Sequence, residues 1–350
     1  MGLKCLLSGA GGFVGSHVLR HLLVHTDWDL VCPVTFNHKG LPARIASSVC
    51  DQPDWTERVT VLHWDLRSPA DPFALAATQD CEVFLNIASE SHVDRSIAEP
   101  GSFIRNNVDL MINVLELARA VRPRLVLQMS TDEVYGPAYD GHRHVEWEPV
   151  IPSNPYSASK AAQEAIAISY WRTYGVPVVI TNTMNIIGEM QSPEKFLPLI
   201  VRSLRDRQPI TVHTAPDGTP GSRFYLHARN LADAWLYLTH MMTGLRADWH
   251  ASMYADGASR PDRYHIVGEQ EIDNISLVRR VGQIMGRSDA EVWDLIIPVS
   301  FHASRPGHDL RYALDGNKIY NLGWRAPVLL DDALERTVKW MLENPTWLDL

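Results

Sequence analysis

Short apolar runs alternate along this chain with longer stretches in which apolar residues recur every three or four positions. Leu3–Ser8 (LKCLLS), Leu30–Thr35, Val59–His63, Glu82–Ile87 (EVFLNI), Leu125–Met129 and Val178–Thr181 are too short for stable helices and too apolar for solvent-facing strands, so they predict six buried strands. Between them, Phe13–Val24 sets Val14, Val18, Leu22 and Leu23 on one helical face. Phe103–Val121 and Ala158–Tyr174 carry the same periodicity and stop at Arg122-Pro123 and Gly175-Val176-Pro177. Buried strands alternating with amphipathic helices predict βαβ units and a parallel sheet covered on both faces, an α/β doubly wound architecture over residues 1–184. Beyond Asn185 the regularity fades into loops rich in Pro, Gly, Asp and Arg, such as Ala215–Ser222 and Ala255–Asp262. Residues 185–350 therefore predict a smaller C-terminal lobe, with the chain free to cross between lobes.

The first strand runs into Ser8-Gly9-Ala10-Gly11-Gly12-Phe13-Val14-Gly15, with glycines at positions 9, 12 and 15, and then into the first helix. In that setting the three glycines have separate tasks: a tight turn, close approach of a pyrophosphate to the backbone, and close helix–strand packing. The helix N-terminus adds unpaired N–H groups and partial positive charge. This predicts a Rossmann-like dinucleotide site using Gly9, Gly12, Phe13, Val14 and Gly15. Asp65-Leu66, just after the third strand, is placed to meet an adenine, although a helix cap or a solvated aspartate reads nearly as well. The end of the second strand, Val34-Thr35-Phe36-Asn37, lacks the carboxylate that holds ribose hydroxyls in such folds. Thr35 or Asn37 is left as a neutral partner, and the repulsion that excludes a 2′-phosphate is lost.

Composition narrows the function. With 45% hydrophobic and 21% charged residues, the 350-residue chain is ordinary for a globular protein. A net charge of −9 argues against nucleic acid as a partner and makes any phosphate site local. No apolar stretch approaches the roughly 18 residues that would span a membrane, and no signal peptide is evident at the N-terminus. Cys5, Cys32, Cys50 and Cys81 form no CxxC pair, which fits a reducing, cytoplasmic setting. The 15 histidines form no HExxH or paired Cys/His pattern, so no metal is expected.

Tyr156-Ser157-Ala158-Ser159-Lys160 places a phenol and an ammonium on one helical face. A nearby lysine favours the phenolate, and a phenol so tuned can take a hydroxyl proton while hydride leaves the same carbon. Ser130-Thr131-Asp132-Glu133 directly follows the fifth strand, at the sheet end where ligands sit in this fold. Two adjacent carboxyls in different environments can divide acid and base roles.

These segments resemble the extended short-chain dehydrogenase/reductases, and among them the dTDP-glucose 4,6-dehydratase family. The resemblance runs through the glycine loop, Ala88-Ser89-Glu90-Ser91-His92-Val93-Asp94-Arg95-Ser96-Ile97, Ser130–Gly136, Asn154–Lys160, Pro193-Glu194-Lys195, Arg305–Tyr312 and Leu322-Gly323-Trp324. It implies a lyase that uses NAD on a nucleotide-diphosphate sugar. Tyr156, oriented by Thr131, takes the C4 hydroxyl proton as hydride passes to NAD. Glu133 removes the C5 proton, Asp132 protonates the departing C6 hydroxyl, and hydride returns to C6. Lys160 holds the ribose and tunes Tyr156. Ser91, Thr131, Asn185, Arg223 and Arg305 match substrate-binding positions, the arginines suiting a pyrophosphate. The family also implies a homodimer. Departures are the missing ribose carboxylate, Asn86 for a usual histidine, Ile187 for a tyrosine, His265 for an asparagine, and GTPGSRFYLH (218–227) without the usual Arg-Asp-Trp. A 4-epimerase or a sugar-acid decarboxylase begins with the same C4 oxidation, and a non-catalytic dinucleotide-binding regulator is the remaining alternative.

Overall fold

A computed structural model describes residues 2–37, 39–139, 141–244, 259–300 and 309–349. Arg305 lies outside the described residues. The chain order of strands is β1 (Lys4–Ser8), β2 (Asp29–Val34), β3 (Val59–His63), β4 (Val83–Asn86), β5 (Leu125–Thr131), β6 (Val178–Thr183), β7 (Asn185–Ile187), β8 (Ile210–Thr214), β9 (Ser222–His227), β10 (Asp262–Ile266), β11 (Glu271–Asp273) and β12 (Ile296–Ser300).

Seven strands form one parallel sheet in the order β10-β6-β5-β4-β1-β2-β3. Its inner strands read as continuous apolar runs because alternate residues enter opposite layers. Cys5 and Leu7 of β1 pack with Val18, Leu22 and Trp235, while Leu6 packs with Met111 and Val114. The two covering layers include the helices Phe13–His25 and Ala228–Gly244 on one face and Pro100–Val121 on the other. All six expected strands are present, within one or two residues at each end. The helices expected from Phe103 and Ala158 start three residues earlier, at Pro100 and Pro155. Proline suits a first helical turn, whose N–H groups lack intrahelical acceptors anyway.

Two C-terminal pieces return to the large sheet: β10 pairs with β6, and the Ala228–Gly244 helix packs against the first helix. Most of the remaining C-terminal residues build a smaller lobe with two short sheets, β11-β9-β7 and β12-β8, while Ile319 and Trp324 pack into the core of the large sheet. Ile200, Val201, Leu277, Leu334 and Val338 form its core. In the large sheet, strand order reverses between β1 and β4, which opens a crevice at the C-terminal strand ends.

Candidate active site

The crevice begins at the glycine loop. Gly9 takes φ +76°, a conformation that costs a residue with a side chain roughly 1–2 kcal/mol. Its carbonyl accepts from Gly12 N at 2.8 Å. A Cβ on Gly15 would stand 2.0 Å from Gly9 O, so only glycine lets the helix start this close to the strand. No side chain caps that helix at Gly12, which leaves its first amides for an anion. From this cradle a cleft of about 470 Å³ runs past Thr35–Asn37 to Asp65–Arg67 on one side. On the other it reaches Ile87–His92, Tyr156 and Lys160. The uncapped amides, the glycine contacts and the length of the cleft fit a dinucleotide. Phe13, Val14 and Leu66 line it. Asp65 lines it too, but its carboxylate is gripped by Arg67 (Nη2–Oδ2 2.5 Å), which holds it below the usual carboxylate range.

The reacting groups stand where β5 gives way to a single 3₁₀ turn, Asp132–Tyr135. Thr131 Oγ1 donates to Asp132 Oδ1 at 2.9 Å and accepts from Glu133 N at 3.3 Å. Behind it, Asn182 Nδ2 donates to Thr131 O (3.0 Å) and to Glu164 Oε1 (2.8 Å), so Asn182 fixes the strand end. Burial pushes the Asp132 carboxyl up to about 7, and the Glu133 charge adds to the shift. Burial also raises Glu133, opposed by the hydrogen bond from Asn154 and the charge of Arg223. The two carboxyls thus sit on one turn in unlike surroundings.

Tyr156 and Lys160 come from the Pro155–Tyr174 helix, which Asn154 and Ser157 start with reciprocal capping bonds. Ser96 Oγ accepts from Tyr156 N at 3.1 Å, and the Phe103 ring meets the tyrosine edge-on. Lys160 Nζ donates to Gln163 Oε1 at 2.5 Å, and burial lowers its pKa to about 7. Burial and the Glu133 charge raise the Tyr156 phenol, with the Thr131 hydroxyl opposing. That is the opposite direction to the one the Tyr–Lys spacing predicts, because the ammonium faces Gln163 and the phenol faces two carboxyls.

The expected substrate residues are spread around this centre. Ser91 lies exposed on the cleft rim, and its carbonyl accepts from Lys195 Nζ at 3.2 Å. Asn185 is exposed at the start of β7. Arg223 is buried, with Nη1 donating to Ser222 O and Leu310 O (2.6 Å each) and Nη2 to Asp309 O (2.7 Å). Its charge acts on both Asp132 and Glu133. Sequence reasoning passed over Asn154, whose Nδ2 donates to Glu133 Oε2 at 3.2 Å. The signal was present: Asn-Pro at a helix start marks a cap, but not the carboxylate that the cap also holds. The departure at Asn86 has a local reason, since it links Ser8 Oγ and Gln128 Oε1, each at 2.6 Å.

Residues 5–247 match the NAD dependent epimerase/dehydratase family. A probable dTDP-glucose 4,6-dehydratase of Sinorhizobium fredii is 33% identical, over 99% of this chain and 94% of the relative. The dTDP-glucose 4,6-dehydratase of Neisseria meningitidis is 32% identical, over 98% and 94%. Among solved structures, the dTDP-glucose 4,6-dehydratase DesIV of Streptomyces venezuelae, with NAD bound, superposes with a TM-score of 0.82 at 32% identity, covering 99% of this chain and 98% of that one. The chain therefore belongs to the NAD dependent epimerase/dehydratase family of extended short-chain dehydrogenase/reductases, in the company of the dTDP-glucose 4,6-dehydratases.

Proposed function

We propose that this protein is a NAD-dependent nucleotide-sugar 4,6-dehydratase, a hydro-lyase, acting on dTDP-glucose or a close analogue. The observation that carries this reading is the pair Asp132 and Glu133 on one turn beside Tyr156. Oxidation at C4 alone needs one base. Elimination of water needs an acid and a second base as well, and the two carboxyls occupy the different environments those roles require. Relatives at about a third identity over nearly the whole chain carry the same named activity.

Bound NAD supplies a hydride acceptor that later returns the hydride. The protein's own residues move the protons. Tyr156 takes the C4 hydroxyl proton as the phenolate, which the Thr131 hydroxyl bond favours and which the positive charge of bound NAD+ would have to favour further against burial. The C4 ketone acidifies C5–H, and Glu133, aimed by Asn154, takes that proton. Asp132, protonated near neutral pH, gives its proton to the C6 hydroxyl, which leaves as water. Hydride adds at C6, Glu133 returns a proton to C5, and the product is a 4-keto-6-deoxy sugar.

Purified protein with NAD+ and dTDP-glucose, UDP-glucose, UDP-N-acetylglucosamine, CDP-glucose or GDP-mannose, each followed by product mass, tests this directly. The expected result is loss of one water from one or more of them. Unchanged mass with inversion at C4 would establish an epimerase, and loss of carbon dioxide from a uronic acid substrate a decarboxylase. Two smaller readings accompany the proposal. Cys5, Cys32 and Cys81 are buried free thiols and Cys50 an exposed one, which supports a cytoplasmic setting. The helices Pro100–Val121 and Pro155–Tyr174 pack together and expose Ile112 and Tyr174, which supports their use in a homodimer. Light scattering would measure that state. Among the described residues no helix is long and apolar enough to cross a membrane.

A further inference from the structure

Away from the cleft, the loop that follows the catalytic turn gathers three metal-ligating side chains. His142, His144 and Glu148 each present one donor atom, and the three atoms lie within 4.8 Å of one another. Glu148 Oε2 stands at the centre, 2.9 Å from His142 Nε2 and 2.6 Å from His144 Nδ1. We propose that these residues form a binding site for a divalent transition metal of the zinc type, with His142 Nε2, His144 Nδ1 and Glu148 Oε2 as protein ligands and water completing the shell.

The backbone has already gathered the set. Gly141 turns the chain at φ +75°. His144 is clamped against the 311–315 segment, its N–H donating to Ala313 O (3.0 Å) and its carbonyl accepting from Asp315 N (2.8 Å). Arg311 Nη1 donates to His142 O at 2.6 Å. The second carboxylate oxygen of Glu148 accepts from Val145 N at 3.1 Å, which leaves Oε2 to face the imidazoles. Donors around a tetrahedral zinc stand roughly 3.3 Å apart for bonds near 2.0–2.1 Å. Metal entry therefore asks for side-chain shifts on the order of 1 Å and no refolding. Two imidazoles and a carboxylate suit zinc, and calcium or magnesium would need more oxygen ligands. The His142 side chain is half exposed, so ion and water have an open approach.

The site touches the catalytic turn through one ring. His144 stacks on Tyr135 (centroids 5.2 Å apart, planes 16° apart), and Tyr135 closes the turn that carries Asp132 and Glu133. The Tyr135 hydroxyl donates to Glu146 O at 2.9 Å and accepts from Arg263 Nη1 at 2.9 Å. A bound metal would pin this loop to the turn, as a structural clasp outside the reaction. The sequence pattern His-x-His-x₃-Glu matches no common metal signature, which is why no metal was expected from spacing alone.

The test uses tag-free, chelator-treated protein with its cofactor present, titrated with Zn²⁺ by calorimetry and checked by metal analysis after dialysis. One zinc per chain is expected, with a Tm that rises with the logarithm of free zinc. His142→Ala and Glu148→Gln should weaken that binding by at least about 100-fold, the upper end of what even outer-shell changes cost. Both should keep the metal-free Tm and turnover of the parent. Failure of the parent protein to bind zinc overturns the proposal. Equal binding by His142→Ala also overturns it, since the ion would then sit on other histidines.

Discussion

Asn154 Nδ2 donates to Glu133 Oε2 at 3.2 Å while its Oδ1 accepts from Ser157 N at 2.9 Å. One side chain thus starts the helix that carries Tyr156 and aims the carboxylate proposed as the C5 base. The two jobs can be separated by substitution. Asn154→Ser keeps a capping oxygen and should hold stability within about 0.5 kcal/mol, whereas Asn154→Ala should lose about 1 kcal/mol. Both remove the donor to Glu133, so both should slow dehydration by roughly tenfold, or about 1.4 kcal/mol. The acidic limb of the rate profile, where the base must lose its proton, should move to higher pH, because Glu133 loses a bond that favours its charged form. A serine variant with parental activity would show that the bond to Glu133 does no positioning.

Asp132 gives a pH prediction of definite sign. Folding raises its pKa from 3.8 to about 7, so the native state holds the proton more tightly than the unfolded chain. Its contribution to stability is full below about pH 4 and is lost as pH rises through about 7. Asp132→Asn removes that dependence. Tm differences between parent and variant, measured from about pH 4 to about pH 7, should move steadily in the variant's favour. Lys160, lowered from 10.5 to about 7, has the opposite slope above that window, so the comparison belongs below it. The same substitution should abolish water loss yet leave substrate-dependent reduction of NAD+ measurable, since Asp132 is assigned no part in C4 oxidation. A flat Tm difference would place the Asp132 pKa near its unfolded value.

Glu133→Gln separates the two halves of the reaction at the other carboxyl. The amide cannot take the C5 proton but keeps the size of the side chain beside Asn154. The variant should reduce NAD+ on mixing with substrate, visible by absorbance in a single turnover, and then stall without losing water. Removing a general base typically costs about 10²–10⁴-fold. Full dehydration by this variant would reassign the base.

How much of this was legible in the sequence depends on what kind of contact is asked for. The parallel sheet is readable because its central strands are buried on both faces, so Cys5, Leu6 and Leu7 are all apolar and the period-two signal is replaced by a plain run. The glycine loop was readable because Gly15 has no alternative: a Cβ there meets Gly9 O at 2.0 Å. The return of β10 to the sheet was not readable, since Asp-Arg-Tyr-His-Ile carries charge into the edge position beside β6. Its Arg263 is buried against Glu164 at 2.6 Å, a pairing across 99 residues that no local pattern encodes. The direction of the Tyr156 shift is illegible for a different reason, since helix spacing sets which side chains share a face but not which neighbour each one meets. Spacing placed Lys160 on the right face, but Gln163, one turn further on, takes its ammonium.

Cofactor choice follows from the end of β2, where Thr35 and Asn37 line the cleft and no carboxylate stands. In NAD-selective sites of this fold a carboxylate there bonds the ribose hydroxyls and repels a 2′-phosphate. Here Asn37 N donates to Thr35 Oγ1 at 3.4 Å, so the turn is held by neutral groups, and the Arg67 guanidinium lies at the same end of the cleft. Arg67 is bound to Asp65, which cancels much of its attraction for an added phosphate. The site should therefore use NAD+ but discriminate poorly against NADP+. Thr35→Asp restores the missing charge at a half-buried position just past the strand end and should raise the NAD+/NADP+ ratio of kcat/KM by about tenfold, the equivalent of 1.4 kcal/mol. Asp65→Ala should act in the other direction by freeing Arg67, lowering the ratio. Steady-state rates with each cofactor would measure both, and a Thr35→Asp variant with an unchanged ratio would place the ribose away from β2.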